Sequence, residues 1–254
     1  MLKLTDKRNF KKPFLLLSKM RQYRALKKTF DEFKKLSDAR GMRFPVAWEN
    51  IFFIAGDNTS NTPFDAHYVY HPAWAARILA NTKPEHHVDI SSTLHFCSIV
   101  SAFVSIKFYD YRPARLELNN LTSEKADLLS LPFGNDSIKS ISCMHTVEHV
   151  GLGRYGDPLD PDGDLKAVSE LKRVTAPSGD ILFVVPVGKP RLMFNAHRIY
   201  SYAQIREYFG EDFELRDFFL IPDNAVAHGV IYDATEKDAD KQSYGCGCFW
   251  FRKK

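Results

Sequence analysis

The chain has 254 residues, 44% of them hydrophobic and 26% charged, with a formal net charge of +4. That is the composition of one large globular domain with an appendage. No apolar run approaches the roughly 20 residues that cross a bilayer, and Cys97, Cys143, Cys246 and Cys248 show no paired spacing. A membrane-spanning or disulfide-stapled protein is therefore excluded from the expectation, which is a reduced, cytoplasmic one.

The first segment, residues 1–50, is crowded with cations from Lys3 through Lys7, Arg8, Lys11, Lys12, Lys19, Arg21, Arg24, Lys27 and Lys28 to Lys34 and Lys35. Leu15, Leu16, Leu17, Met20, Tyr23, Leu26, Phe30, Phe33 and Leu36 recur among them at helical spacing. A basic N-terminal helical extension is expected, either packing on the main domain or docking on an anionic partner such as a membrane surface, a nucleic acid or a phosphorylated substrate. Its apolar patch "FLLL" is too short for a secretory leader. "DNTSNTP" (57–63) is a polar loop, and "HPAWAARILANTKP" reads as a helix stopped before Pro84.

From His87 the pattern alternates. "HVDIS" is strand-like, "TLHFCSIVSAF" helical, "VSIKFYDY" and "IKSISCM" strand-like, and "GDLKAVSELKRVT" an amphipathic helix. "GDILFVVPV" follows as a buried strand, then "YAQIREYF" as a helix, "FELRDFFLI" as a strand and "CGCFWFRKK" as a terminal strand. Such alternation predicts an α/β domain over residues 51–254, a Rossmann-like sandwich with a mostly parallel central sheet. Ligands of these sheets bind beyond the carboxyl ends of the strands. Those ends carry Asp89, Ser91, Ser92 and Thr93, then Asp110 about 20 residues after Asp89, the spacing of a ribose-binding acid. Asp127 and Leu128 follow, and then "MHTVEHV".

"ADLLSLPFGNDSIKSISCMHTVEHV" and "ELKRVTAPSGDILFVVPV" resemble the central motifs of class I S-adenosylmethionine-dependent methyltransferases over about Val88 to Val187. "EHVGLGRYGDPLDPDGD" with "FNAHRIY" is similar to a branch of that superfamily met in bacterial surface-polysaccharide gene clusters. The resemblance implies S-adenosylmethionine as cofactor, with Asp89, Ser91 and Ser92 at its methionine end, Asp110 on its ribose, and Asp127 with Leu128 on its adenine. It also implies O-methylation of a small-molecule or glycan acceptor. One departure stands out: Ser91, Thr93 and His95 occupy the loop where glycines are usual. Glycine serves there for positive φ and for close approach to a pyrophosphate, and this cofactor has no pyrophosphate.

"HTVEH" sets His145, Glu148 and His149 at i, i+3 and i+4, on one face if a helical turn begins there. With His197 downstream, they make a candidate catalytic cluster. It is also a candidate site for a divalent ion (Mn, Mg or Fe), similar to metal-assisted O-methyltransferases. A base without metal and an ordered structural turn remain the other readings. The same letters satisfy H-x-x-E-H, the pattern of a zinc hydrolase, although a long helix is expected around that motif. A methyltransferase scaffold repurposed for binding is the remaining alternative. "DPLDPDGD" lacks an EF-hand glutamate, with Leu171 at that position, so it reads as a rigid loop with Asp164 capping the next helix and Arg154, Tyr155 or Asp157 near substrate. "CGC" reads as core strand, too few ligands for a metal by itself.

Overall fold

Alternating apolar residues in "ILFVVPV" face opposite sides of the sheet, and two separate cores form on them. The protein is described by a computed structural model over residues 12–54 and 56–254, with backbone alone for 12–19. Lys3, Lys7, Arg8 and Lys11 of the basic segment lie outside those residues. The chain divides into two compact units, 1–63 and 64–254.

In the first unit, α1 (Lys12–Ala39) is followed by a 3₁₀ turn at Trp48–Asn50. Trp48 packs edge-on against Phe30 at 5.0 Å and Tyr23 at 5.8 Å. None of residues 20–39 is buried. Lys27, Lys28 and Lys34 pair with Asp31, Glu32 and Asp38 one turn on, which offsets half of the described cationic charge of the helix.

The second unit runs α2 (Ala66–Thr82), β1 (His86–Ile90), α3 (Leu94–Val100), β2 (Ser105–Asp110), β3 (Leu121–Lys125) and β4 (Ile138–Met144). Then come α4 (Gly163–Val174), β5 (Thr175–Val187), a small hairpin of β6 (Arg191–Met193) and β7 (His197–Ile199), and α5 (Tyr202–Phe209). β8 (Phe213–Ile221), α6 (Ala225–His228), α7 (Glu236–Asp240) and β9 (Gly245–Lys253) complete it. The described residues form a seven-stranded sheet in the order β3-β2-β1-β4-β5-β9-β8. β3, β2, β1, β4 and β5 are parallel, and β9 runs antiparallel between β5 and β8.

Ile181, Phe183 and Val185 point into one core with Ala167, Val168 and Leu171 of α4 and with Phe209, Phe249 and Phe251. Leu182 and Val184 point into the other, against Trp74, Ile78 and Leu79 of α2, Phe96 and Val100 of α3, and Cys246 and Cys248. α2 begins earlier than "HPAWAARIL" suggests, because Asp65 caps it by accepting the Tyr68 N–H at 3.3 Å. That extra turn adds His67 to the helix. Asp164 does not cap α4. It is buried, takes the Tyr200 hydroxyl at 2.9 Å and lies 3.4 Å from the Arg198 guanidinium.

The strand order reverses between β1 and β4, β1 continuing to β2 on one side and β4 to β5 on the other. The crevice at such a reversal is where an open α/β sheet places its ligand.

Candidate active site

Two residues just past this switch point leave their strands in the left-handed region: Ser91 at φ 55° after β1 and His145 at φ 56° after β4. Each still donates its N–H to the neighbouring strand, Ser91 to Tyr109 O and His145 to Val184 O, both at 2.8 Å. The pairing thus holds the backbone while the turn lifts each side chain over the sheet edge. The left-handed conformation costs a non-glycine residue roughly 1–2 kcal/mol. The strand ends are tied together: Thr146 Oγ1 donates to Ser91 O at 3.0 Å, and Ser92 Oγ accepts the Met144 N–H at 3.2 Å. Thr93 caps α3 by accepting the Phe96 N–H, and His95 faces solvent. The glycine-free loop therefore reaches a glycine-like conformation with Ser91 itself.

Two adjoining cavities open above this edge, sharing Ser91, His145, His149 and Tyr155. The first is a slot walled by Leu128, Val150, Pro158 and Tyr111, with Asp110 and Asp127 on its rim. Asp110 Oδ1 accepts the Arg112 N–H at 2.6 Å, and Asp127 Oδ1 accepts the Leu129 N–H at 2.9 Å. Among the described residues the second oxygen of each has no protein partner. Apolar walls with free carboxylate oxygens at the edge fit a nucleoside, whose base needs flat apolar contact and whose ribose offers two donors.

Asp89, expected at the methionine end, lines neither cavity. It is fully buried and accepts from Ser142 Oγ and from the Ser92 N–H at 3.0 Å, and burial pushes its carboxyl up to about 6. Its place is under the loop, holding Ser92. His87 extends this network between Ser140 Oγ (2.7 Å) and Ser142 Oγ (2.8 Å), and burial lowers its pKa to about 3.

The second cavity is lined by His67, Tyr68, His149, Arg154, Asn195, His197 and Tyr244, among others. "HTVEH" forms no helix. His145 stands outside a single 3₁₀ turn at Val147–His149, so the helical H-x-x-E-H geometry of a zinc hydrolase is absent. The buried Glu148 carboxylate accepts His145 Nδ1–H through Oε1 at 2.8 Å, lies 3.9 Å from His149 Nε2 through the same oxygen, and leaves Oε2 without a partner. His149 Nδ1 meets Ala196 O at 2.6 Å. A carbonyl can only accept, so Nδ1 carries a proton, which leaves Nε2 as the nitrogen able to accept one in the neutral ring. His197 Nε2 is buried and unpartnered, and burial lowers its pKa. Asp157 gathers the N–H groups of Gly151 (2.8 Å), Gly153 (3.3 Å) and Tyr155 (3.1 Å), so it shapes the loop that carries Arg154 and Tyr155.

Among the described residues, the metal-ligating group whose donor atoms lie within 4.8 Å of one another is His67, His145 and Cys246. It shares only His145 with the set expected from the sequence. His67 and His71 escaped the sequence reading, although "HYVYH" spaces them at i, i+4, the helical spacing that puts two imidazoles on one face. Cys246 Sγ lies 3.3 Å from His145 Nε2. Burial alone opposes a charge on His145, while Cys246 and Glu148 on its two ring nitrogens outweigh it and raise its pKa. Burial also raises Cys246 and keeps it a thiol.

Solved structures share this fold. A candidate sarcosine dimethylglycine methyltransferase from Galdieria sulphuraria aligns at TM-score 0.51 and 15% identity, over 72% of this chain and 84% of that one. Burkholderia thailandensis 1,6-didemethyltoxoflavin-N1-methyltransferase, solved with its acceptor and S-adenosylhomocysteine, aligns at TM-score 0.51 and 12% identity, over 73% and 79%. The fold, an α/β sandwich around a mostly parallel seven-stranded sheet, is the Rossmann-like one of these methyltransferase structures. A family model described as "Caenorhabditis protein of unknown function, DUF268" matches residues 133–219, and no curated protein matches the sequence.

Proposed function

We propose that the protein is an S-adenosylmethionine-dependent O-methyltransferase acting on a hydroxyl of a sugar or related polyhydroxylated small molecule. The observation that carries the reading is the pair of joined cavities at the switch point, one built for a nucleoside and the other lined with imidazoles and tyrosines. Bound in the first, S-adenosylmethionine would supply a methyl group already activated on a sulfonium.

The chain's own task is then placement and proton removal. Asp110 would accept the ribose hydroxyls while Leu128 and Val150 flank the base. Ser91, shared by both cavities, stands at their junction, where the methyl donor and the acceptor oxygen must meet. His149 Nε2 takes the acceptor's proton, and the Glu148 carboxylate 3.9 Å away stabilises the imidazolium that results. Tyr68, Tyr155 and Tyr244 offer ring faces and hydroxyls to a sugar, and Asn195 and Arg154 offer donors. Holding the two reactants in a near-attack geometry can supply up to about 7–11 kcal/mol of the barrier. A positioned base adds typically about 10²–10⁴-fold.

The test is incubation with S-adenosylmethionine labelled in its methyl group and a panel of free sugars and sugar nucleotides, with products fragmented by mass spectrometry. Label on a sugar oxygen supports the reading. Label only on nitrogen acceptors of a parallel amine panel would replace O-methylation by N-methylation.

A further inference from the structure

Where α2, the turn after β4 and the start of β9 meet, three side chains from distant parts of the sequence bring a nitrogen, a nitrogen and a sulfur within 4.8 Å of one another: His67, His145 and Cys246. We propose that this cluster is a zinc-binding site at the floor of the second cavity.

Four features of the surroundings argue for an ion rather than a chance packing of imidazoles. First, His145 is already oriented as a ligand. Its Nδ1–H is donated to the buried Glu148 carboxylate at 2.8 Å, so in the neutral ring Nε2 carries the lone pair, and that nitrogen lies 3.3 Å from Cys246 Sγ. A carboxylate behind a histidine is the arrangement that fixes the tautomer and raises the basicity of zinc-bound imidazoles. Second, the His67 ring stacks on His145 at 5.5 Å with 7° between planes, which sets the two imidazoles side by side. Third, polar atoms nearby lack partners: the His71 ring is 5.1 Å from that of His145 and its buried Nε2 is unsatisfied, as is Glu148 Oε2. Buried lone pairs left unpaired are costly, and a cation at this point is the occupant that relieves the field they create. Fourth, His67 and His145 both line the second cavity, so an ion held by them and by the sulfur keeps an open side towards it. Three protein ligands with one open position is the pattern of a reactive zinc site, whereas a structural site is closed by four.

The donor chemistry selects the ion. Thiolate and imidazole suit zinc, and magnesium and calcium demand oxygen. On binding, the Cys246 S–H bond breaks, the sulfur bonds to the ion as a thiolate, and the proton leaves to solvent. Metal binding itself stands apart from the methyltransferase reading. The role of the open side in seating an acceptor hydroxyl rests on that reading.

The experiment uses the full chain, stripped with chelator, dialysed, and titrated with Zn²⁺ and separately with Co²⁺. The expected result is one ion retained per chain. With cobalt, a thiolate-to-metal charge-transfer absorption and the intense visible bands of tetrahedral coordination are expected. Cys246→Ser should abolish the charge-transfer band and His67→Gln should weaken retention at least tenfold, whereas Cys248→Ser, two residues along β9 with its sulfur 3.9 Å from Cys246 Sγ but outside the cluster, should leave both intact. Far-ultraviolet circular dichroism confirms folding of each variant, and His67→Gln, on a half-exposed helix face, keeps the test valid if Cys246→Ser fails to fold. No ion retained by the wild type, or retention equal in wild type and His67→Gln, overturns the proposal. Binding of S-adenosylhomocysteine by the stripped protein is measured in parallel, so failure of the metal site and failure of the methyltransferase reading are told apart.

Discussion

His149 has one ring nitrogen committed to Ala196 O and one left for chemistry, which makes it the residue with the clearest single role. His149→Gln should lower turnover by roughly 10²–10⁴-fold. It should leave the affinity for S-adenosylhomocysteine within about threefold, since the proposed ribose and adenine contacts are those of Asp110 and Leu128. A steady-state rate measured beside a binding isotherm separates the two. Deeper in the same unit, His87 makes a pH prediction. Its native pKa of about 3 lies below the unfolded value of 6.5, so between those values the unfolded chain binds the proton that the native chain refuses. Stability is therefore lost as pH falls through 6.5, at about 1.4 kcal/mol per pH unit for one full proton. Asp89, raised to about 6, acts in the opposite sense between its ordinary value and 6, so the clean readout is a difference between proteins. Urea unfolding between pH 6.5 and 4.5 should show a shallower loss for His87→Gln than for the wild type, and parallel slopes would refute the assignment. Single residues of this kind were only partly legible in the sequence. Asp110 was named from its spacing after Asp89, and Asp127 with Leu128 from the resemblance; all three line the first cavity. Asp89 sits next to them in the pattern, yet β1 is buried on both faces and its carboxylate turns under the loop to Ser92 and Ser142, which the letters alone do not reveal.

At the scale of elements, the loop after β1 decides whether the fold can hold its ligand without glycine. Ser91 bears roughly 1–2 kcal/mol of left-handed strain. Glycine would relieve it but would lose about 0.4–1 kcal/mol through the greater freedom of the unfolded chain. Ser91→Gly should thus change stability by no more than about 1 kcal/mol and retain cofactor binding, measured by chemical denaturation and calorimetry. Ser91→Val, β-branched at the same positive φ, should be destabilised by more than that and lose affinity. Equal behaviour of the two variants would contradict the strained-turn description. The strands and helices from β1 to β9 were largely readable, because period-2 and period-3.6 apolar patterns report the burial that forms them. β3 and the β6–β7 hairpin were not. "LTSEK" is mostly polar and edge-paired, and the hairpin strands have three residues each, too few for a period to show. Helical spacing also misled at "HTVEH", where His145 turns left-handed to complete the β4 ladder before any helix begins.

At the scale of the molecule, every residue assigned to the two cavities belongs to the unit 64–254. That unit expressed alone should bind S-adenosylhomocysteine within about twofold of the full chain. The alternation of strand and helix made the α/β class legible from the sequence, and with it the sheet edge above which the two cavities open. What it could not supply was the meeting of α2, the β4 turn and β9, because residues 67, 145 and 246 converge only through tertiary packing. The measurement that bears most directly on the whole reading is calorimetric titration of the full chain with S-adenosylhomocysteine, for the wild type and for Asp110→Ala. A hydrogen bond to a charged group contributes about 1.5–3 kcal/mol. The expected result is therefore one saturable site, weakened roughly 10–100-fold by the substitution. Absence of saturable binding in the wild type, or equal affinity in the two proteins, would contradict the assignment of the first cavity to the cofactor and with it the proposed activity.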